Sequence, residues 1–172
     1  MYSIHESNTS LYFYPYIYSM KNIIILLLIT TFYSNAQNIK YNPCSFSVEL
    51  PTELKLSNVD ATPDYCDYEV TLKDGSKVIE LHSMNLSRFE LSTIEELYGV
   101  AIKNTQLNIT YKTLKDKFFV LSGINKENGK TFYWKRIIGD NFVSDLQFEY
   151  DQSQKNNIEP YISKISKSFN SN

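Results

Sequence analysis

The sequence predicts an α+β domain built on a mostly antiparallel β-sheet of about six to seven strands. Three observations carry this expectation. Several short runs alternate apolar residues with period two, and Gly, Asn and Asp turns bound them. Two other segments repeat apolar residues every three or four positions, the period of a helix. Their order is strands, helix, strands, helix, without the regular alternation of a parallel βαβ sheet.

The chain begins with a tyrosine-rich stretch, Leu11 to Tyr18, that no periodicity places in a core. Met20 opens a different pattern. Lys21 is a short positive region, Ile23 to Ile29 is an unbroken apolar run, and Ser34-Asn35-Ala36 offers the small residues that a signal peptidase reads. Residues 1–19 are therefore expected to be upstream read-through, 20–36 a signal peptide cleaved before Gln37, and 37–172 a single α+β domain. A transmembrane anchor is the competing reading. The run falls short of the ~20 apolar residues needed to span a bilayer, and extending it backwards meets Lys21 and Asn22. Cleavage would leave no stable membrane span, and the protein would be periplasmic or secreted. No lipobox cysteine follows the run, because the first cysteine is Cys44.

Net charge is −2. Removing residues 1–36 takes away one lysine and one acid, Lys21 and Glu6, so the balance is unchanged. No basic field exists to draw nucleic acid. Cys44 and Cys66 are the only cysteines. In an exported chain such a pair reads as a structural disulfide, closing a loop worth roughly 3 kcal/mol of chain entropy. A zinc site would need more ligands than two Cys and His82, and a redox dithiol would have C-x-x-C spacing.

Phe46, Val48 and Leu50 alternate up to Pro51 and predict a first strand. Thr52 to Asp64 reads as polar and irregular. Cys66, Tyr68, Val70 and Leu72 share a face of a second strand, and Asp74-Gly75 marks a hairpin into a third, Val78 to Ser83. Ser92 and Glu95 form an expected capping box before the stripe Ile94, Leu97, Tyr98, Ala101, Ile102. Ile109 and Tyr111 indicate a short strand. Phe118 to Gly123 is apolar on both faces, as a covered central strand would be. Lys130 to Ile138 sets Phe132, Trp134 and Arg136 against Tyr133, Lys135 and Ile137, and Phe142 to Tyr150 alternates with one wet face. Ile158, Ile162, Ile165 and Phe169 form the stripe of a closing helix, with Pro160 expected in its first turn. An eleven-residue helix of this kind would not hold alone in water and must dock on the sheet.

No catalytic signature is present: no G-x-S-x-G elbow, no phosphate loop, no dinucleotide fingerprint, and no implied cofactor or metal. His82 and Glu80 lie two apart on one strand face, so they could move a proton, or they could belong to an exposed polar face. Glu95 and Glu96 sit in a first helical turn and read as cap and dipole partners. Aromatics make up 15% of the chain. Tyr133 beside Lys135, with Tyr65 and Tyr68, is a candidate binding surface, since aromatics near a cation serve as interface anchors. Sheet packing is the competing use of the same residues.

Several stretches together resemble the PsbP-like family of small exported proteins. They are the strand ending in Leu-Pro (Phe46 to Pro51), the mid-chain helix, Phe132-Tyr133-Trp134-Lys135-Arg136-Ile137-Ile138, Val143 to Tyr150, and the closing helix through Ile162 to Phe169. The resemblance implies an α/β/α sandwich around an antiparallel sheet. It also implies an accessory or binding role rather than catalysis, and it supplies no catalytic motif. The Cys44/Cys66 pair lies outside the family pattern. The expected function is that of an exported non-enzymatic domain acting on a protein or cell-envelope component, with a small exported hydrolase or proton-transfer enzyme using His82 and Glu80 as the alternative.

Overall fold

The computed structural model describes residues 38–41 and 44–172. The expected read-through (1–19) and signal peptide (20–36) lie outside the described residues. In chain order the elements are β1 (Asn38–Tyr41), β2 (Phe46–Pro51), β3 (Lys55–Thr62), β4 (Tyr65–Thr71), β5 (Lys77–Asn85), α1 (Ile94–Ala101), β6 (Leu107–Lys115), β7 (Phe118–Asn125), β8 (Thr131–Ile138), β9 (Phe142–Tyr150), α2 (Lys155–Ser168) and β10 (Asn170–Ser171). Strands β3 to β9 form one antiparallel sheet of order β3-β4-β5-β9-β8-β7-β6. A second sheet has the order β1-β2-β10.

Local chemistry accounts for the joints. In the β4–β5 hairpin Gly75 takes a φ of +85°, and the Asp74 carboxylate accepts from the Ser76 amide and hydroxyl at 2.9 and 2.6 Å. The cap of α1 lies one residue beyond the expected box. Thr93 Oγ1 accepts from the Glu96 amide, and the Glu96 carboxylate accepts from the amides of Thr93 and Ser92. At the other end of the sheet, a side chain at Gly123 would sit 2.0 Å from the Asn108 carbonyl oxygen, so only glycine lets β6 approach β7 this closely.

The structure departs from the sequence expectation in three further places. The segment expected to be irregular contains β3, which pairs with β4 from the sheet edge. Its side chains are nearly all solvated, so it has no apolar alternation to read. Strand β2 is not a member of the large sheet. Its fully buried Phe46, Val48 and Leu50 instead face that sheet from the layer that also holds α2. Helix α2 starts at Lys155, which puts Pro160 inside it rather than in its first turn. The amide that Pro160 lacks would have reached Asn156, an exposed residue near the helix start, where water can take the carbonyl.

The sheet is packed on both faces, giving α/β/α layers. On one face Ile158, Ile165 and Phe169 of the closing segment and the buried side of β2 cover Val70, Leu81, Leu146 and Phe148. On the other, Ile94, Leu97 and Ala101 of α1 cover Phe119, Leu121, Phe132 and Val143. Each buried large side chain contributes roughly 1.5–3 kcal/mol before entropy is subtracted.

One polar contact fixes α2 to the sheet. Lys135, in β8, is buried, and its Nζ donates to the carbonyls of Ser166 and Phe169 at 2.7 and 2.9 Å. Helices end in unpaired carbonyls carrying partial negative charge, so the ammonium satisfies these acceptors and the dipole at once. The rings of Phe118 and Phe169 stand 5.2 and 5.8 Å away. Burial pushes the Lys135 pKa down. Beside it, the hydroxyls of Tyr133 and Ser166 share a hydrogen bond of 2.6 Å.

The sulfurs of Cys44 and Cys66 are bridged across a Cα separation of 6.7 Å. The bond joins the lead-in to β2 with β4, and therefore the small sheet with the large one. Cys66 is 1% exposed, shielded among core residues. With 22 residues of separation, reduction is expected to lower unfolding stability by about 2–4 kcal/mol and to leave the far-ultraviolet circular dichroism unchanged. Urea titrations with and without reductant measure this, and coincident curves would show that the bond carries no stability.

Candidate functional site

Each helix covers only part of its sheet face. Among the described residues helix α1 packs over β7, β8 and the Val143 end of β9, leaving β4, β5 and the rest of β9 without a helix on that side. On the opposite side α2 and β2 pack over β4, β5, β9 and the Lys135–Ile137 end of β8, leaving parts of β6, β7 and β8 and Tyr150 of β9 as the floor of a groove. The two bare areas differ in chemistry.

The area beside α1 is a ladder of charges. Asp67, His82, Asp145 and Arg136 stand directly opposite one another on β4, β5, β9 and β8. Arg136 holds Asp145 with Nε and Nη2, both at 2.7 Å, and Trp134 Nε1 donates to the same carboxylate at 2.8 Å. The guanidinium lies 4.8 Å from the Trp134 ring. His82 Nδ1 is 2.8 Å from Asp67, and Nε2 is 3.5 Å from Glu80. Lys77 reaches Glu80 at 2.5 Å and Glu69 at 3.1 Å. His82 and Lys77 hold the Glu80 carboxyl at about 2. Glu80 first, with Asp67 and Asp145 behind it, raises the His82 imidazolium above its ordinary value.

Same-strand spacing thus brings Glu80 and His82 together, on an open face. Both ring nitrogens of His82 face carboxylates, so the protonated form is favoured and no imine lone pair is free to take a proton. Ser83 projects from the opposite side of the sheet, out of reach of the imidazole. There it joins Ser45 and Ser144 in a hydroxyl cluster, with Ser83 and Ser144 at 2.8 Å. Among the described residues no cluster of three or more His, Cys, Asp or Glu has metal-holding geometry. The shallow groove next to the ladder, about 520 Å³, is bordered by Lys77, Glu80, Trp134, Gln147 and Glu149.

The area beside α2 is a groove of about 640 Å³. Ser122, Ile124, Thr131, Tyr133 and Tyr150 form its floor, and Ile162, Ser163, Ser166 and Lys167 its helical wall. Of the four residues grouped as a candidate surface, Tyr133 lines this groove. Lys135 shares its sheet face but is covered by α2. Tyr68 packs edge-to-face on Phe46 at 6.5 Å, and Tyr65 projects with Asp67 on the ladder side. The four therefore do not make one patch. The groove wall on α2 was not visible in advance, because polar positions of an amphipathic helix look alike until the docked face is known.

No family model matches the chain. It is 33% identical over 104 residues to Protein Ycf2 of Marchantia polymorpha, a stretch that covers 59% of this chain and 4% of that protein. Among solved structures, cyanobacterial PsbP (CyanoP) from Synechocystis sp. PCC 6803 matches with a TM-score of 0.51 at 10% identity, over 81% of this chain and 95% of that one. The chain has a PsbP-like fold. Among the described residues no helix is long and apolar enough to cross a membrane.

The ladder predicts a stability profile with two flanks. His82 has a raised pKa when folded, so its contribution is complete below about 6.5 and is lost as pH rises through the folded value. Glu80 has a depressed one, so its contribution is complete above about 4.5 and is lost as pH falls towards 2. The melting temperature should therefore peak between these flanks, with Lys77, Glu69, Asp67 and Asp145 facing the same pair. His82→Gln should flatten the basic flank and keep the acid one. A wild-type melting temperature that does not fall above roughly pH 7 would contradict the charged assignment.

Proposed function

We propose, on the premise of the PsbP-like fold, that this is an exported, non-catalytic accessory domain that binds a protein or another cell-envelope component in the groove between α2 and β6–β8. The groove is the observation that carries the reading. Its wall is a helix anchored to the sheet through Lys135 and Tyr133, so a partner meets a preformed surface and little ordering entropy is lost on binding. Its floor combines aromatic and hydroxyl groups, which supply contact area and orientation. Export is supported by the Met20–Ala36 pattern and by the bridged cysteines, since disulfides persist in oxidising compartments. The charged residues of the opposite face are engaged with one another, which leaves them a structural role.

The test places a photo-cross-linking side chain at Ser163 or Thr131, in the groove, and at Glu69, on the other face, in the full chain expressed in its native host. A discrete adduct from the groove positions and none from Glu69 is expected. The same adducts from all three positions, or adducts from Glu69 alone, would contradict the proposal.

A further inference from the structure

The groove adjoins an open sheet edge. Among the described residues strand β6 ends the seven-stranded sheet, so alternate backbone N–H and C=O groups along it have no described strand beyond them. A bulge between Ile109 and Tyr111 interrupts its pairing with β7 and leaves Tyr111–Lys115 as a regular run. Tyr111 is 55% exposed, and Lys112 and Lys115 are exposed beside it. Tyr111 stands opposite Ser122, and Ser122 opposite Tyr133, so one row of side chains leads from the edge across the groove floor.

Charge is divided along the same line. Residues 55–85, which hold β3, β4 and β5, carry six carboxylates and three lysines. Residues 107–138, which hold β6, β7 and β8, carry seven cations and two carboxylates. Of those cations Lys135 is covered by α2, and Arg136 is paired with Asp145 on the other face. The remaining five, Lys112, Lys115, Lys117, Lys126 and Lys130, still outnumber Asp116 and Glu127. Helix α2 adds Lys155, Lys164 and Lys167 against Glu159; Lys155 and Glu159 line the groove as an ion pair 3.6 Å apart, and Lys167 lines it as well. A molecule of net charge −2 therefore carries its positive half at the β6 end of the sheet, with Lys167 adding positive charge in the groove. Pairing of two β6 edges would set rows of lysine against each other, which disfavours a second copy of this chain there.

We propose that the β6 edge accepts an extended, acidic segment of a partner protein as an added strand, with alternate side chains entering the groove under α2. This deepens the groove-binding reading and rests on it. Main-chain hydrogen bonds supply affinity, the groove selects side chains, and the lysines select the sign of charge.

The probe is a short synthetic peptide in which glutamate alternates with valine, added to the bridged protein, with amide exchange followed residue by residue. Protection of Tyr111–Lys115 is expected, with affinity that falls as salt rises. The double variant Lys112→Glu/Lys167→Glu, both at exposed positions, should weaken binding by roughly tenfold or more. Methylating alternate peptide amides should abolish binding, because the added strand loses its donors. No binding, equal binding of the lysine–valine counterpart, or protection on β3 would overturn the proposal. Uptake by phosphatidylglycerol vesicles without peptide binding would assign the positive half to a lipid surface and overturn it as well. A groove adduct from Ser163 together with an unprotected β6 would remove the added strand and leave groove binding standing.

Discussion

The contact between the Lys135 ammonium and the last carbonyls of α2 is the constraint on which the rest of this fold depends. A helix of 14 residues is marginal alone in water and needs a docked face. Ile158 and Ile165 supply the apolar part of that face, but apolar stripes tolerate sliding. Two directed hydrogen bonds from a buried cation do not, because any shift strands a charge away from its partners. The position of α2 then sets the chain beyond it. Phe169 fills the core against Phe46 at 5.3 Å, β10 pairs with β2, and the Asn172 amide donates to the Ser45 carbonyl at 2.8 Å. The disulfide closes the circuit from the start of β2 to β4.

A different solution holds the opposite face. Beside α1, apolar packing ends at Val143, and the neighbouring strands carry ion pairs across the sheet instead. Asp145 is 7% exposed, yet its carboxylate oxygens have partners in Arg136 and Trp134. Among the described residues no buried side-chain nitrogen or oxygen lacks a hydrogen-bond partner. Such a face needs no covering layer, which explains how a short α1 suffices. It also ties up Glu80 and His82, the groups that the sequence offered for proton transfer.

Much of the fold was legible because period and turn chemistry agreed. The Asp74-Gly75 hairpin, the three strands from Phe118 to Tyr150 and the Ile158–Phe169 stripe stand where the pattern put them. Strand β3 was not legible, because an edge strand solvated on both faces leaves no alternation. Nor were β1 and β10, which take their order from pairing with β2 rather than from their own residues. Within the candidate surface, Tyr65 and Tyr68 are three apart, and a strand of period two must send them to opposite faces. Lys135 looked like an exposed cation because sequence cannot show that its stem runs under a helix and its head caps it. The charge division between residues 55–85 and 107–138 was present in the sequence throughout, but it acquired meaning only when the strand order placed each block at one end of the sheet.

Residue-resolved amide exchange of the unliganded, bridged protein under native conditions tests the central claim that α2 is a fixed wall of a preformed groove. If the Lys135 anchor holds, amides from Ile162 to Phe169 exchange only through global unfolding, at the same opening free energy as Leu121 and Leu146 in the sheet. Exchange of that segment at a much lower free energy, while the sheet stays protected, would show a helix that opens on its own. It would contradict both the anchor and the preformed groove.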